Sequence, residues 1–437
     1  MNKGLWALSA AILLSNVALA QEGTVTVVTS FSKDVTDPIK AAFEAAHPGT
    51  TLEVQNKSTS SGVVYLEETR GNNQTDLFWA SAPDAFVTLK DQGLLSTFKP
   101  TVEGIPETVG SYQVNDRDGY FFGFAASGYG MMWNERYLEA NGIEAPAEWN
   151  DLAEAQYHDH VVIAAPSRSG TTHLTVETIL QGEGWEEGWK LLKLIGGNFQ
   201  QVTDRSFGVP EAVNSGQAGV GIVIDFFGFA ARASGFPVDF AYPSVTTVVP
   251  ANIGIVANAP NQAGAEAFVN FLLSEDGQLV LFDPAIQRLP INPAVYDRAP
   301  EGLPNPFKDP QFASMITFDG NVSSQRSAVV DSLFDQTVTF QLDNLSAAVA
   351  AIQAAQAAAE GKDMPEAKAM IEEAIGLVAG VPITEQDAVS AEILGAFEGG
   401  DTATARQSQL EQEWAAFAQK NYAEAKQKAE AALALLG

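Results

Sequence analysis

Apolar and polar residues alternate with strand and helix periods along the first part of the chain. Residues 24–29 form a β-branched run of strand length, and Ile39, Ala42, Phe43 and Ala46 follow with helical spacing. The same strand-then-helix order continues to about residue 89 and resumes at residue 161. Alternation of this kind predicts an α/β fold with parallel strands covered by helices on both faces.

Two stretches rich in small and β-forming residues, 120–132 and 245–256, separate the α/β units. Two such stretches suggest paired strands that carry the chain from one lobe to another and back. The sequence therefore predicts a first lobe of residues 21–125 and 250–340, and a second lobe of residues 126–249.

The composition changes near residue 342 to Ala, Glu, Gln and Lys, with apolar residues at helical spacing. We predict an all-helical extension over residues 341–437. Similar turns at 360–363 and 398–401, and a weaker one at Lys420 and Asn421, resemble helical hairpins of the tetratricopeptide type. A plain helical bundle whose Ala-rich composition produces similar turns is an equally open interpretation.

The first twenty residues have the pattern of a secretory signal. Lys3 precedes an apolar stretch at 5–14, and Ala18-Leu19-Ala20 provides a small-x-small cleavage site that would leave Gln21 first. Other segments are too short or too polar to span a bilayer. We expect an exported protein of the bacterial periplasm with no membrane insertion.

The charge balance excludes several kinds of partner and chemistry. The chain has 24 Lys and Arg against 54 Asp and Glu, a formal net charge of -30. Nucleic acid and anionic membrane surfaces would repel such a chain. The absence of cysteine from the sequence excludes disulfides, thiolate catalysis and Cys-bound metals. We predict no cofactor and no metal site.

Hydroxyl residues and glycine form three clusters between a predicted strand and the following helix. Backbone N–H groups at a helix N-terminus, together with hydroxyls, can bind an anion without a basic lobe. N-capping of the helix is the alternative for each cluster. The residues concerned are Ser30 and Ser32, then Thr59, Ser60 and Ser61, then Ser169, Gly170, Thr171 and Thr172.

A carboxylate, Asp225, directly follows the apolar strand predicted at 219–224. At the end of a buried strand it can accept hydrogen bonds from ligand hydroxyls or an amine. An N-cap role is the alternative.

The order of several motifs resembles bacterial extracellular solute-binding proteins of ABC transporters, in the ferric-ion and organophosphate group of the type II periplasmic binding fold. The segments that carry the resemblance are Asp-Leu-Phe-Trp at 76–79, Met-Trp-Asn at 132–134, Pro-Ala-Glu-Trp-Asn-Asp-Leu at 146–152, Ala-Pro-Ser-Arg-Ser-Gly-Thr at 165–171 and Arg-Leu-Pro-Ile-Asn-Pro at 288–293. The resemblance implies a two-lobed fold that traps a small anion by closure and presents it to a membrane permease.

The resemblance also bears on the ligand. Ferric-binding members have adjacent tyrosines where this chain has Phe226 and Phe227 after Asp225. The departure favours a phosphorylated or phosphonate-type anion, with ferric ion as the alternative. By resemblance, the three hydroxyl clusters contact the anion and Asp225 contacts the rest of the ligand. Further candidates are Arg168 and Arg205, as phosphate contacts or solvent-facing ion pairs, and, more weakly, Ser127 and Tyr242.

Two other functions stay open. A phosphate-ester hydrolase would need a nucleophile with a base or a metal cluster, and the sequence displays neither. The helical extension suggests a second possibility, that the protein reports its ligand to a membrane sensor.

Overall fold

The computed structural model describes residues 23–399 and 401–437; the predicted signal at 1–20 lies outside them. Most strands belong to one hydrogen-bonded sheet, and β5 and β6 form a separate small one. The strands are β1 Gly23–Thr29, β2 Thr50–Asn56, β3 Leu77–Ala80, β4 Leu95–Ser96, β5 Thr108–Val109, β6 Tyr112–Gln113, β7 Phe121–Asn134, β8 Val161–Ala164, β9 Phe199–Thr203, β10 Val220–Ile224, β11 Val238–Ala241, β12 Val248–Val256 and β13 Leu289–Pro290.

Helices cover the sheet and form the C-terminal region. The α-helices are α1 Lys33–Ala46, α2 Thr59–Thr69, α3 Pro83–Asp91, α4 Glu135–Asn141, α5 Gly170–Glu183, α6 Trp185–Gly196, α7 Gly208–Asn214, α8 Asp225–Ala233, α9 Gln262–Leu273, α10 Glu275–Val280, α11 Gly320–Thr337, α12 Leu342–Ala359, α13 Pro365–Ala379, α14 Glu385–Ala388, α15 Ala391–Gly395 and α16 Asp401–Leu436. Short 3-10 helices are Arg70–Asn72, Trp149–Ala153, Ala155–Tyr157, Pro166–Arg168, Pro293–Arg298, Pro310–Ala313 and Thr339–Gln341.

The strand order β2-β1-β3-β12-β7-β10-β8-β9 divides the sheet at two long central strands. On one side β1 pairs in parallel with β2 and β3, and on the other β8 pairs in parallel with β9 and β10. The strands β7 and β12 pair antiparallel, with Ser127 opposite Val249 and a register shift between Ala251 and Asn252. These two strands pass between the parallel units, so the molecule has two lobes joined by paired crossings.

Helix α11 belongs to the core of the second lobe. Its buried residues Val329, Val330, Leu333 and Phe334 pack in the same apolar cluster as Trp189 of α6. The predicted first lobe extended to residue 340 and would have included this helix. The structure differs because the apolar residues of α11 pack in the core of the second lobe, where α11 contacts α5 and α16.

The C-terminal helices continue that core without a break. Residues of α12, α13 and α16 lie in the same apolar cluster as the second lobe. Gly197 shows how close the packing is, since a Cβ there would lie 2.3 Å from the Cβ of Val349. The C-terminal helices therefore form part of the second lobe and are not a separate domain.

Helix α16 runs through Lys420 and Asn421, where the sequence predicted a weak turn. Asn421 donates a hydrogen bond to the Leu377 carbonyl at 3.3 Å and Tyr422 is buried against the bundle. The prediction of a third turn is therefore wrong. The C-terminal helices form a bundle around one long helix, α16. Among the described helices, none has the length and hydropathy needed to cross a membrane.

Candidate functional site

The two lobes meet at the carboxyl ends of their parallel strands, where open α/β sheets bind ligands. A cavity of about 20 Å³ lies there. Its lining includes Ser30, Phe31, Ser32 and Ser81 from the first lobe, and Thr171, Ser206, Phe207, Phe226 and Phe227 from the second. Because a space of that size holds about one water molecule, the structure shows the lobes closed on each other.

Direct contacts across the cleft agree with a closed state. The Ser60 hydroxyl donates to the Ser167 carbonyl at 3.1 Å, and Arg205 Nη2 donates to Asn56 Oδ1 at 3.3 Å. Gly170 lies so close to the first lobe that a Cβ on it would approach the Ala82 Cβ to 2.6 Å. Closure thus brings the predicted clusters at 59–61 and 169–172 together.

A buried guanidinium occupies the floor of the cleft. Arg288, which precedes β13, is 0% exposed. Its central carbon lies 4.3 Å from the ring centre of Phe31 and 3.8 Å from that of Phe226, one ring from each lobe. Its Nη2 donates to Ser81 Oγ at 3.2 Å, whereas Nε and Nη1 have no hydrogen-bond partner among the described residues.

Sheet register places two more unpaired hydroxyls beside this guanidinium. Leu289 pairs with Ala126, so the preceding Arg288 lies opposite Ser127 in this antiparallel pair. Tyr129 is two residues further along β7 and therefore shares the face of Ser127. Both side chains are buried, and within the described part of the chain their hydroxyls lack hydrogen-bond partners.

The charge of Arg288 persists despite its burial. Burial lowers the pKa of the guanidinium to about 9, with nearby Asp225 and Tyr129 raising it. At neutral pH it is therefore a cation with unused donors in a dry site. Asp225 compensates this buried charge only in part, because it does not hydrogen-bond Nε or Nη1. The arrangement therefore favours an anion with acceptor oxygens.

Asp225 lies at the start of α8 and is 0% exposed. Its Oδ2 accepts hydrogen bonds from the Gly128 amide and the Tyr242 hydroxyl, both at 2.7 Å. Its Oδ1 accepts one from the Phe226 amide at 2.7 Å. Burial raises the pKa of this carboxyl to about 6, while these hydrogen bonds lower it. In this closed state Asp225 and Tyr242 tie α8 to the crossing strand β7.

The hydroxyl clusters divide between capping and the cleft. Ser169 Oγ accepts hydrogen bonds from the Thr172 amide at 3.2 Å and the Thr172 hydroxyl at 3.0 Å, as an N-cap of α5 does. Ser58 Oγ accepts a hydrogen bond from the amide of Ser61 at 3.2 Å. Ser30, Ser32 and Thr171 instead line the cavity, and Thr59 packs beside Gly170.

The two predicted arginines have different surroundings. Arg168 is exposed and forms an ion pair with Asp204, which corresponds to the solvent-facing alternative. Arg205 is part-buried, stacks 5.0 Å from the Phe207 ring centre and reaches across the cleft to Asn56. Burial lowers the pKa of Arg205.

Sequence reasoning missed Arg288, Tyr129, Ser81 and Ser206 as site residues. Arg288 stood only within the segment 288–293 that carried the family resemblance. One signal was available: an arginine immediately followed by the apolar run Leu289, Pro290 and Ile291 in a chain with few basic residues. An arginine is seldom fully buried unless it has a partner, so its place beside an apolar run indicates a buried functional charge.

The two lobes, the paired crossings and the polar cleft between them define a periplasmic-type solute-binding protein. The model of the bacterial extracellular solute-binding protein family matches residues 72–317, more than half of the chain. The chain belongs to that family, and the predicted family and type II fold are confirmed. It is a solute-binding protein of the ABC-type transport family.

The similar proteins are named for different solutes, which are phosphoglycerate, fructose-6-phosphate and iron. The phosphoglycerate transport regulatory protein PgtC of Salmonella typhimurium is 27% identical, over 79% of this chain and 84% of its own length. The structure of AfuA from Actinobacillus pleuropneumoniae with exogenous fructose-6-phosphate has a TM-score of 0.64 at 20% identity, covering 72% of this chain and 98% of AfuA. Iron-bound HitA from Pseudomonas aeruginosa has a TM-score of 0.58 at 15% identity, covering 70% and 98%.

Proposed function

We propose that this protein captures a small phosphorylated or phosphonate-type organic anion between its lobes and presents it to an ABC-transporter permease in the inner membrane. The observation that carries the proposal is the buried Arg288, whose Nε and Nη1 lack partners among the described residues. Adjacent guanidinium N–H groups form a fork that matches two oxygens of a phosphoryl group.

The surroundings of Arg288 suit such a group. Ser81, Ser127 and Tyr129 add hydroxyls from the first lobe and the crossing strand, and Ser30, Ser32 and Thr171 line the adjacent cavity. Hydroxyls can donate to phosphoryl oxygens or accept from ligand hydroxyls. The site relies on local donors, because a chain with a formal net charge of -30 does not attract anions from a distance.

Closure accounts for capture. The cavity of about 20 Å³ is too small for an organic phosphate, so the lobes separate to admit the ligand and close over it less fully than they do here. Ligand that touches both lobes then favours the closed state in proportion to its extra contacts there. The apolar stack of Phe31, Arg288 and Phe226 joins the lobes at the anion.

The same geometry argues against ferric ion as the ligand. The positions after Asp225 hold Phe226 and Phe227, which offer no oxygen donor, and Phe226 lies against the Arg288 cation. A trivalent cation at this place would meet a guanidinium that no described residue pairs through Nε or Nη1. Iron-binding relatives therefore share the fold with this chain, and the proposal assigns it a different ligand.

Binding, without catalysis, is the proposed role. The relatives whose folds match are solute-binding proteins, and the buried Arg288 site contains a cation and hydroxyls where a hydrolase needs an activated nucleophile. The name of the Salmonella relative contains the word regulatory, which keeps a sensor partner as a second candidate.

The test is a calorimetric titration of the mature protein with fructose 6-phosphate, 3-phosphoglycerate, 2-aminoethylphosphonate and ferric citrate, supported by thermal shifts. We expect micromolar or tighter binding of at least one phosphoryl compound, and a stabilisation of about 2.7 kcal/mol at a hundredfold excess over its dissociation constant. Tight binding of ferric ion, or of fructose added as the neutral control, with none of the phosphoryl compounds bound, would overturn the proposal.

A further inference from the structure

His173 lies at the junction of both lobes and the helix that leads to the C-terminal extension. It is 2% exposed, in the first turn of α5. Its Nδ1 lies 2.7 Å from Asp331 Oδ1, and its Nε2 lies 3.0 Å from Ser323 Oγ, both on α11. The same Nε2 lies 3.3 Å from Asp84 Oδ2, on α3 of the first lobe.

The ring is an imidazolium in this setting. Burial lowers the pKa of His173, but Asp331, Asp84 and Glu177 together raise it to about 10. Nδ1 then donates to Asp331 and Nε2 to Ser323, while Asp84 lies within ion-pair distance of Nε2. Glu177 is already engaged, because Arg326 binds it through two hydrogen bonds of 2.8 and 3.0 Å.

The contacts of His173 with α11 lie within the second lobe, whereas its contact with Asp84 joins the two lobes. Arg326 anchors α11 to the second lobe through Glu177 on α5, and it also binds Glu385 of α14 at 2.7 Å. Asp331 and Ser323 therefore stay with His173 when the lobes separate. Asp84 belongs to the other lobe, so its contact with His173 exists only in the closed state.

Closure also buries Asp84. Its side chain is 9% exposed, and burial raises its pKa, with His173 lowering it. A carboxylate that moves from water to such a place needs a cation, and the described residue that meets it there is His173. A second contact, between Thr88 Oγ1 of α3 and Ser324 Oγ of α11 at 3.3 Å, accompanies it.

We propose that Asp84 and His173 form an electrostatic latch that stabilises the closed cleft, with His173 oriented by Asp331 and Ser323 of α11. The latch regulates the ligand site from outside it. It rests on the proposed function only in that the lobes open and close. Because the measured affinity scales with the population of the competent state, loss of the latch weakens every ligand by the same factor.

The test measures the distance between the lobes in the absence of ligand. The chain has no cysteine, so spin labels at Glu68→Cys and Glu144→Cys report on one lobe each. We expect His173→Asn to shift the distance distribution to longer values, because closure then buries Asp84 without a cation. Affinity for fructose 6-phosphate, or for whichever phosphoryl compound binds the wild type, should fall roughly ten- to a hundredfold, which is the usual range for coupling between a distant contact and a binding site.

Second-site rescue separates the latch from damage to the fold. In the His173→Asn background, Asp84→Asn removes the stranded charge and should restore short distances and most of the affinity. Asp91→Asn, an exposed carboxylate on the same helix α3, is the matched control and should rescue nothing.

Two results would overturn the latch: unchanged distances in His173→Asn, or opening that Asp84→Asn does not reverse. If His173→Asn fails to fold, Asp84→Lys takes its place, because separation of the lobes removes residue 84 from contact with the second lobe. Its ammonium should oppose the imidazolium and keep the lobes apart, and a closed Asp84→Lys variant would contradict the proposal. The distance readout needs no ligand, so these results stand apart from the failure of any one compound to bind.

Discussion

The guanidinium of Arg288 lies 3.8 Å from the ring centre of Phe226, so a cation from the segment before β13 contacts an aromatic ring of the opposite lobe. Cation–π contacts of this kind gain strength when water is excluded. The contact covers one face of the guanidinium and leaves Nε and Nη1, at its edge, without partners among the described residues. The cleft therefore has an anion receptor whose orientation is fixed by hydrophobic walls.

Replacing Arg288 by Met should abolish anion binding without harming the fold. We expect at least a hundredfold loss of affinity for a bound phosphoryl compound, from about 3 kcal/mol of lost charged hydrogen bonds. The unfolding midpoint of the free protein should stay equal or rise, because the variant removes a buried charge that lacks full compensation. Calorimetry and thermal denaturation measure both.

Arg298→Met is the matched control for Arg288. Arg298 ends the 3-10 helix that follows β13. Its side chain is 63% exposed and pairs with Glu275 at 3.4 Å. Neither affinity nor the midpoint should change in it. An Arg288→Met protein that unfolds early yet retains its affinity would show that Arg288 is structural.

Lowering the pH should strengthen binding of an anion that does not itself titrate. Burial raises the pKa of Asp225 to about 6, so in the folded protein its negative charge beside Arg288 disappears below that pH. We expect a sulfate ester such as glucose 6-sulfate to bind about three- to tenfold more tightly at pH 5 than at pH 7.5. In Asp225→Asn the two affinities should be equal.

The raised pKa of Asp225 should also make the stability of the fold depend on pH. The pKa of Asp225 in the fold lies above the 3.8 of the free side chain, so the folded state binds more protons between these values. Its contribution to stability therefore falls as the pH rises from about 4 to 6 and is constant above. Asp239→Asn, at an exposed ion pair with Arg232, should leave both pH profiles unchanged.

A methyl group at Gly170 should hold the cleft open. A Cβ there would lie 2.6 Å from the Ala82 Cβ and 3.1 Å from Thr59 Oγ1 of the opposite lobe. Gly170→Ala should lengthen the distance between labelled lobes and weaken binding at least tenfold, with little change in the unfolding midpoint. Gly376→Ala, in α13 with open space around it, should bind normally and be more stable by about 0.5–1 kcal/mol. Normal closure of Gly170→Ala would contradict this account.

Lys193 should make the stability of the molecule depend on alkaline pH. Burial lowers the pKa of this lysine in α6 to about 7, and its ammonium group contacts the Gly380 carbonyl at the end of α13. The unfolded chain holds that proton up to about pH 10.5, so stability rises with pH between these values. Compared by denaturant unfolding, the advantage of Lys193→Met over wild type should shrink by up to about 1.4 kcal/mol per pH unit between pH 7.5 and 9.5. The exposed Lys190→Met should show a constant difference.

Salt should have little effect on ligand affinity. The Arg288 site is shielded from solvent in the closed state, whereas the acidic surface is not, and screening acts mainly on exposed charges. Between 0.05 and 0.5 M KCl we expect a change of less than about threefold. A steep loss of affinity would place the anion at exposed cations such as Arg168.

The lobes could be predicted because periodicity is a local signal. The β-branched run before Ser30 and the helical spacing of Ile39 and Phe43 each specify one element, and the order of elements specifies the parallel units. The predicted lobe boundary at residue 340 was wrong because the apolar pattern of α11 shows that one face is buried but does not show which lobe buries it. Only the tertiary structure shows that Val330 and Phe334 face the second lobe.

The candidate site was harder to predict because it is assembled by register and closure. Ser169 and Thr172 have the composition of an anion loop, yet they cap α5. Arg288 looked like part of a family motif, and its position opposite Ser127 follows from a strand pairing that spans more than 150 residues of sequence. Burial of a charge is invisible in a sequence until the surrounding elements are placed.

The fit of Gly197 beneath Val349 bears on how this gene diverged. The φ of Gly197 is -65°, which any residue can adopt, so only the absence of a side chain distinguishes glycine there. Selection for glycine should persist in lineages that keep the C-terminal helices and relax in lineages without them, where larger polar residues would be tolerated. A premature stop codon ahead of α12 would uncover apolar surface on α6 at once, so loss of these helices requires prior substitutions on the second lobe.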